Sequence, residues 1–338
     1  MAGRKRAAEE PGLVRLEVGS GGRLMREFLE GTVLPRLGNR YLRGLPDACR
    51  LDGGVVFTTD GYVVDPLFFP GGDIGSLCVN GTVNDLVVSG AVPRFLALSV
   101  ILEEGLPLAD VRRVLASIRR AAGKARVTVA TGDTKVVRRG QCDKMFITTA
   151  GVGRAVGRPA PGKVRAGDAV ILTGPLGEHS LAILAARGEY GLESAVRSDC
   201  APLTFLLPLW RGGVRWMRDV TRGGLATILS ELAESLPYAI RIEERLIPVS
   251  RPVKAATEIL GIDPLYLACE GRAVLIAPRA AARRVLGHIR RFEPGRRAAV
   301  IGEVGRGPGR AGEVLCETAA GGLRLLEPLT SELLPRIC

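Results

Sequence analysis

Two apolar, β-branched runs in the first half of the chain each end at an aspartate in a glycine turn. Val55-Val56-Phe57-Thr58-Thr59 runs into Asp60-Gly61, and Val127-Thr128-Val129-Ala130-Thr131 into Gly132-Asp133-Thr134-Lys135. Short apolar runs bounded by turn residues predict buried strands. Between them residues 74–89 and 108–122 predict helices, and 145–152 a further strand. The second half repeats the alternation, with strands at 168–173, 239–243 and 272–277 and helices near 178–188 and 222–236. Strands alternating with helices restrict the chain to an α/β (α+β) fold. At 338 residues it exceeds one ordinary core, so two domains are expected. The Gly/Pro-rich stretch 151–162 is the best linker. The expected division is a disordered arm over 1–12, an N-terminal domain over 13–157, a C-terminal domain over 158–330 and a flexible tail over 331–338.

Composition removes several classes. The net charge is +12, but the basic residues are dispersed, aromatics are 4%, and no helix-turn-helix, zinc-finger or RNA-recognition signature accompanies them. Nucleic acid is not an expected partner; a positive surface equally attracts an anionic substrate such as ATP or an acidic protein. The seven cysteines form no C-x-x-C pair, and only two histidines occur. That argues against structural zinc or a disulfide framework and fits a reducing cytoplasm. The charged N-terminus lacks the apolar stretch of a signal peptide, and no run of about 18 apolar residues predicts a membrane span.

Carboxylates gather around the predicted strand ends. Asp60 and Asp133 follow strands, and Asp73 in Pro70-Gly71-Gly72-Asp73 stands where a helix N-cap falls. On that helix Asn84 lies 11 residues further, near the same face, with Asp85 beside it. Ligands of open α/β sheets collect beyond the carboxyl ends of strands. Carboxylates there without histidine suit a hard cation such as Mg²⁺ bridging phosphates. Caps and turns use the same residues, so both readings stand. Lys135 meets a phosphate or a substrate carbonyl, or is simply a solvated charge.

In the second half Arg218-Asp219-Val220-Thr221-Arg222-Gly223-Gly224 leads into an amphipathic helix. Gly223 and Gly224 at a helix start let backbone N–H groups approach a phosphate. Asp219 adds a metal contact or caps the turn. Glu270 in Cys269-Glu270-Gly271 is a general-base candidate or a solvated turn residue. No G-x-x-x-x-G-K-[ST] phosphate loop occurs, so ATP would bind by another construction. The last residue, Cys338, has no fold on one side of it. A thiol there can carry a group covalently into a site, or belong to a frayed end. Pro335 stiffens the tail, and Arg336 favours the thiolate while the α-carboxylate opposes it.

Several segments together closely resemble the HypE family of hydrogenase maturation proteins. They are 65–75 (DPLFFPGGDIG), 81–85 (GTVND), 101–105 (ILEEG), 131–137 (TGDTKVV), 218–224 (RDVTRGG) and the terminal Pro335-Arg336-Ile337-Cys338. The resemblance runs from about residue 13 to the end. The tail together with GDTKVV is specific, whereas any single Gly/Asp segment indicates only the wider aminoimidazole ribonucleotide synthetase superfamily. It implies a homodimer whose N-terminal domains join into a β-barrel, with ATP and Mg²⁺ between the two domains. It also implies that Cys338 receives a carbamoyl group from a HypF-type carbamoyltransferase. ATP then drives dehydration of the thiocarboxamide to a thiocyanate. The cyano group passes to iron held by a HypC–HypD complex, as a ligand of the [NiFe]-hydrogenase site.

By this resemblance Asp60, Asp73, Asp85 and Asp133 handle metal and phosphates, Lys135 polarises the carboxamide, Glu270 is the base, and Cys338 is the carrier. Two positions depart from the family pattern: Val18 stands where a histidine is usual, and Cys269 where an asparagine is usual, which bears on how Glu270 is oriented. Two other readings remain. One is another ATP-dependent synthetase or small-molecule kinase of the superfamily with an idle tail; the other is a thiol carrier without ATP turnover.

Overall fold

The computed structural model describes residues 12–19, 21–188, 191–192, 194–305, 309–330, 334 and 336–338. The arm expected over 1–12 falls outside these except for Gly12, as does half of the 331–338 tail. The first domain begins with short helices α1 (Gly22–Phe28) and α2 (Leu34–Leu37). Strands β1 (Cys49–Arg50), β2 (Val55–Tyr62), β3 (Phe68–Phe69) and β4 (Gly72–Asp73) follow. Helix α3 (Ile74–Val88), strand β5 (Ala91–Glu103), helix α4 (Leu108–Ala125), and strands β6 (Thr128–Val137) and β7 (Met145–Ala155) complete it. The main sheet has the order β1-β2-β7-β5-β6, and only β5 and β6 run parallel.

Helix α3 is apolar on every side, and 13 of its 15 residues are buried. A helix without a polar face must lie between two layers, and α3 does: it packs on β2, β5 and β7 of its own sheet and touches the second domain. It starts with a reciprocal cap, in which Asp73 accepts from the Ser76 N–H at 2.8 Å and the Ser76 hydroxyl accepts from the Asp73 N–H. Gly81 lets it sit close on β2, because a Cβ there would come 2.3 Å from the Tyr62 hydroxyl. Helix α4 is amphipathic, burying Val114, Ile118, Ala121, Ala122 and Ala125 and turning its arginines outward.

The second domain comprises β8 (Ala169–Leu172), α5 (Glu178–Arg187), β9 (Trp216–Asp219), α6 (Gly224–Glu234), β10 (Ile240–Glu243) and α7 (Arg251–Leu260). It continues through β11 (Ala273–Ala277), α8 (Arg279–Ile289), β12 (Ala299–Val304), β13 (Val314–Glu317) and β14 (Leu323–Leu326). Its seven-stranded sheet has the order β14-β13-β10-β12-β8-β11-β9, antiparallel except for β10 with β13. Central strands β8 and β11 are buried along their whole length, which is why they read as continuous apolar runs. The two sheets are therefore mostly antiparallel, and the strand-end rule for open parallel sheets does not locate the site. Among the described residues no helix is long and apolar enough to cross a membrane.

Candidate functional site

A cavity of about 680 Å³ opens at the seam of the two domains, within the range of small-molecule sites. β2 contributes Thr59, Asp60 and Tyr62, and α3 contributes Gly81 and Asp85. From the second domain come Arg218 and Asp219 at the end of β9, Arg222 in the following turn, and Glu270; Cys338 completes the wall. Five residues singled out in the sequence thus meet in one cleft: Asp60, Asp85, Asp219, Glu270 and Cys338. Sequence reasoning missed Asp47, Arg218, Arg222 and Glu231. Arg218 and Arg222 lie within the recognised Arg218–Gly224 segment, and Glu231 follows it on α6. Asp47 lies in an irregular loop with no signal of its own.

The electrostatics of this wall are unusual. Burial pushes the Asp219 carboxyl up to about 7, with nearby Asp47 adding repulsion and Arg218 opposing it. Burial likewise raises Asp85 well above the usual carboxylate range, helped by Asp219, Asp47 and Asp60, although Thr58 Oγ1 donates to it at 2.9 Å. Asp60 is raised by burial against the pull of Arg222. Glu270, 3% exposed, is raised well above its ordinary value by burial and then by Asp219 and Asp60. Arg218 ties the wall together, bonding Asp47 at 2.8 Å and Glu231 at 2.5 Å. Arg222 faces the charges of Cys338, Asp60 and Glu270, and its Nη1 donates to the Gly19 carbonyl at 3.0 Å. The wall is short of cations. Among the described residues no three Asp, Glu, His or Cys side chains already converge on one metal-ligating point.

The C-terminus is docked on this cleft. The Val63 N–H donates to an α-carboxylate oxygen of Cys338 and the Asp65 N–H to the Arg336 carbonyl, both at 3.2 Å, so the tail adds to the segment that leaves β2. Arg336 returns its Nε to the Val63 carbonyl at 2.9 Å and its Nη1 to Asp143 at 2.5 Å. Arg187 at the end of α5 donates to both the Asp65 and the Arg336 carbonyls at 2.7 Å. A second cavity of about 160 Å³ lies beneath, walled by Gly223, Leu267, Leu334, Ile337 and Cys338 among others.

The remaining candidates lie elsewhere. Asp73 caps α3. Asn84 donates to the Ala201 and Glu270 carbonyls and accepts from the Leu203 N–H, so it braces the seam. Asp133 and Lys135 face the same way on β6, 3.0 Å apart and exposed, outside the cleft of their own chain. The hydrogen bond from Lys135 holds the Asp133 carboxyl below its ordinary value. Gly223 and Gly224 have φ of +79° and +65°, and a Cβ on Gly224 would come 2.4 Å from the Leu265 carbonyl, so the turn into α6 requires glycine. Val18 sits in a 3₁₀ turn, Leu16–Gly19. Cys269 is fully buried and its sulfur accepts from the Gly177 N–H at 3.3 Å. Glu270 is oriented through its backbone instead, its N–H donating to Asp199 at 3.1 Å and its carbonyl accepting from Asn84.

Paired domains of this kind, with an acidic cleft between them, define the AIR synthase related proteins. Residues 46–155 match the N-terminal domain of that family and residues 165–314 its C-terminal domain. Within it, the chain is 45% identical over 339 residues to the carbamoyl dehydratase HypE of Azotobacter vinelandii, covering 97% of this chain and 98% of that one. A solved structure of a HypE–HypF complex superposes with a TM-score of 0.84 at 38% identity, covering 89% of this chain and 99% of the other. A HypE structure in complex with ATP superposes with a TM-score of 0.80 at 44% identity, covering 96% and 100%. The chain belongs to the HypE family of hydrogenase maturation proteins.

Proposed function

We propose that this protein is an ATP-dependent carbamoyl dehydratase acting on its own terminal cysteine, and that the product thiocyanate supplies the cyanide ligand of a [NiFe]-hydrogenase iron. The carrying observation is the position of Cys338 on the wall of the acidic cleft, beside Arg222 and Glu270. A substrate tethered to the enzyme reacts as an intramolecular group, which removes the entropic cost of encounter. An amide oxygen is a poor leaving group. The thiocarboxamide oxygen therefore attacks the γ-phosphorus and ADP departs. Two N–H protons leave in all, the C–O bond breaks, phosphate carries the oxygen away, and C≡N remains on sulfur. Glu270 takes an N–H proton. Burial, and then Asp219 and Asp60, raise its proton affinity above the ordinary carboxylate range, which strengthens it as a base.

ATP is assigned to the same cleft. Asp60, Asp85 and Asp219 are oxygen donors that burial raises first and mutual repulsion second, and a divalent cation offsets both by stabilising the ionised carboxylates. Mg²⁺ takes one or two carboxylates plus phosphate oxygens, so a ready-made cage of three side chains is not needed. When bound it neutralises charge on the transferring phosphate. With Asp219 and Asp60 compensated, the repulsion they exert on Glu270 falls, and its proton affinity falls with it.

The chain acts as a homodimer through its N-terminal domain. Helices α3 and α4 cover one face of the β1-β2-β7-β5-β6 sheet, while the other leaves Phe57 and Phe95 37% and 51% exposed. Edge strand β6 is exposed from Thr128 to Val136. An apolar sheet face and a long bare edge are covered in a stable protein, and a second copy closing a barrel covers both. Asp133 and Lys135, on that edge, then serve the cleft across the dimer. A HypF-type carbamoyltransferase loads Cys338 and a HypC–HypD complex receives the cyano group. The test is incubation of the carbamoylated protein with Mg-ATP, followed by the mass of its C-terminal peptide. Hydrolysis of ATP with the carboxamide intact would exclude dehydration.

A further inference from the structure

We propose that His179 is the positioning residue that seats the reactive tail, its Nε2–H donating to the carbonyl of Ile337, the peptide group adjoining Cys338. The inference rests on the dehydratase reading only for its purpose, not for its geometry. His179 is the second residue of α5, fully buried, and its Nε2 lies 2.7 Å from the Ile337 oxygen. A carbonyl only accepts, so Nε2 must carry the proton. Nδ1 is 2.8 Å from Ser198 Oγ, and that oxygen already accepts from the Cys200 N–H at 3.1 Å. With Nε2 protonated, Nδ1 is the acceptor and the Ser198 hydroxyl donates to it while accepting from Cys200. Ser198 is in turn anchored by its N–H to the Pro70 carbonyl at 2.7 Å, and Phe69 stands edge-on to the imidazole at 5.4 Å. Burial lowers the proton affinity of His179, in keeping with a neutral ring.

Each element of this relay fixes the next: a turn of the first domain holds Ser198, Ser198 holds the ring, and the ring holds the peptide before the thiol. The other hydrogen bonds of the tail grip residues 336 and 338, while Leu334 and Ile337 pack against the core. Arg336 adopts a left-handed φ of 52°, a conformation that persists only where surrounding contacts enforce it. Loss of the grip on residue 337 therefore favours release. His179 is not among the residues lining the cleft, so its removal spares the nucleotide.

The test begins with alkylation of Cys338 by iodoacetamide in the nucleotide-free protein, read on the 333–338 peptide released by cleavage after Glu332. One net hydrogen bond to a backbone carbonyl shifts the seated-to-released ratio about two- to twelvefold. His179→Ala is expected to speed alkylation by that factor with ATP affinity unchanged. His179→Gln, whose amide nitrogen reaches the place of Nε2, is expected to restore the slow rate. Equal rates in all three proteins would overturn the proposal. Should the alanine variant fail to fold, ¹⁵N-histidine NMR of the unaltered protein decides, since only two histidines occur. The proposal requires the Nε2–H tautomer at His179, and an Nδ1–H tautomer refutes it. Neither the alkylation rate nor the histidine tautomer depends on ATP or a carbamoyl group. Absence of dehydration would thus overturn the functional reading while leaving the seat intact.

Discussion

Asp219→Asn tests the idea that the cleft is built short of positive charge. Asp219 is 5% exposed, and its proton affinity rises from an ordinary 3.8 to about 7. At 1.36 kcal/mol per pH unit, that interval corresponds to a ceiling of about 4 kcal/mol for holding the ionised carboxylate in an empty cleft. Part of the gain from removing the charge is lost with the attraction of Arg218, and part of the repulsion stays among Asp47, Asp60 and Asp85. A net gain of about 1–2 kcal/mol is expected. The sign follows from linkage. The folded carboxyl is raised, so the unfolded chain ionises first, and folded stability is lost progressively as pH climbs from about 4 to about 7. The asparagine variant has no such loss at this position. By thermal melting without metal or nucleotide it should match the parent near pH 4 and exceed it by about 2–8 °C at pH 8. Mg-ATP should raise the melting temperature of the parent more than that of the variant. A variant that melts below the parent at pH 8, by the same margin as at pH 4, would refute the reasoning.

Three further outcomes are expected. Glu270→Gln should bind ATP normally and slow dehydration of carbamoylated Cys338 by about 10²–10⁴-fold, the usual worth of a general base; unimpaired single-turnover kinetics would remove it from that role. Cys338→Ala should refuse the carbamoyl group yet keep nucleotide affinity, measured by calorimetry, because the cleft wall is otherwise intact. Asp133→Asn subunits mixed one to one with Glu270→Gln subunits should regain up to about a quarter of the parent activity, since half of the dimers are mixed and each of those has one intact site. If Asp133 serves the opposite cleft, one of the two sites in a mixed dimer carries both defects and the other neither. No recovery on mixing would assign Asp133 to its own chain.

The elements legible in the sequence were those with one unambiguous period. Helices α3 and α4, strand β7 and the central strands β8 and β11 begin and end within a few residues of expectation. Strand β5 escaped notice, since Pro93 interrupts its start at a bulge between Pro93 and Phe95. The aspartate after Thr131 read as a strand end, whereas β6 continues through it to Val137 because that edge pairs with β5 along its length. The site was legible by residue type at Asp60, Asp219, Glu270 and Cys338, although Asp60 lies within β2 and not in a turn beyond it. What did not follow from sequence was the pairing of distant segments, such as Asp47 with Arg218 or His179 with Ile337. Those contacts depend on how two domains dock, and no local spacing encodes that.

The central claim is that the tail is both substrate and carrier. The most direct measurement is the mass of the 333–338 peptide from carbamoylated protein before and after Mg-ATP. The loss of one water from Cys338, with one ATP consumed per chain, is the predicted result. A carbamoyl group that survives ATP hydrolysis, or a water lost without ATP, would contradict it.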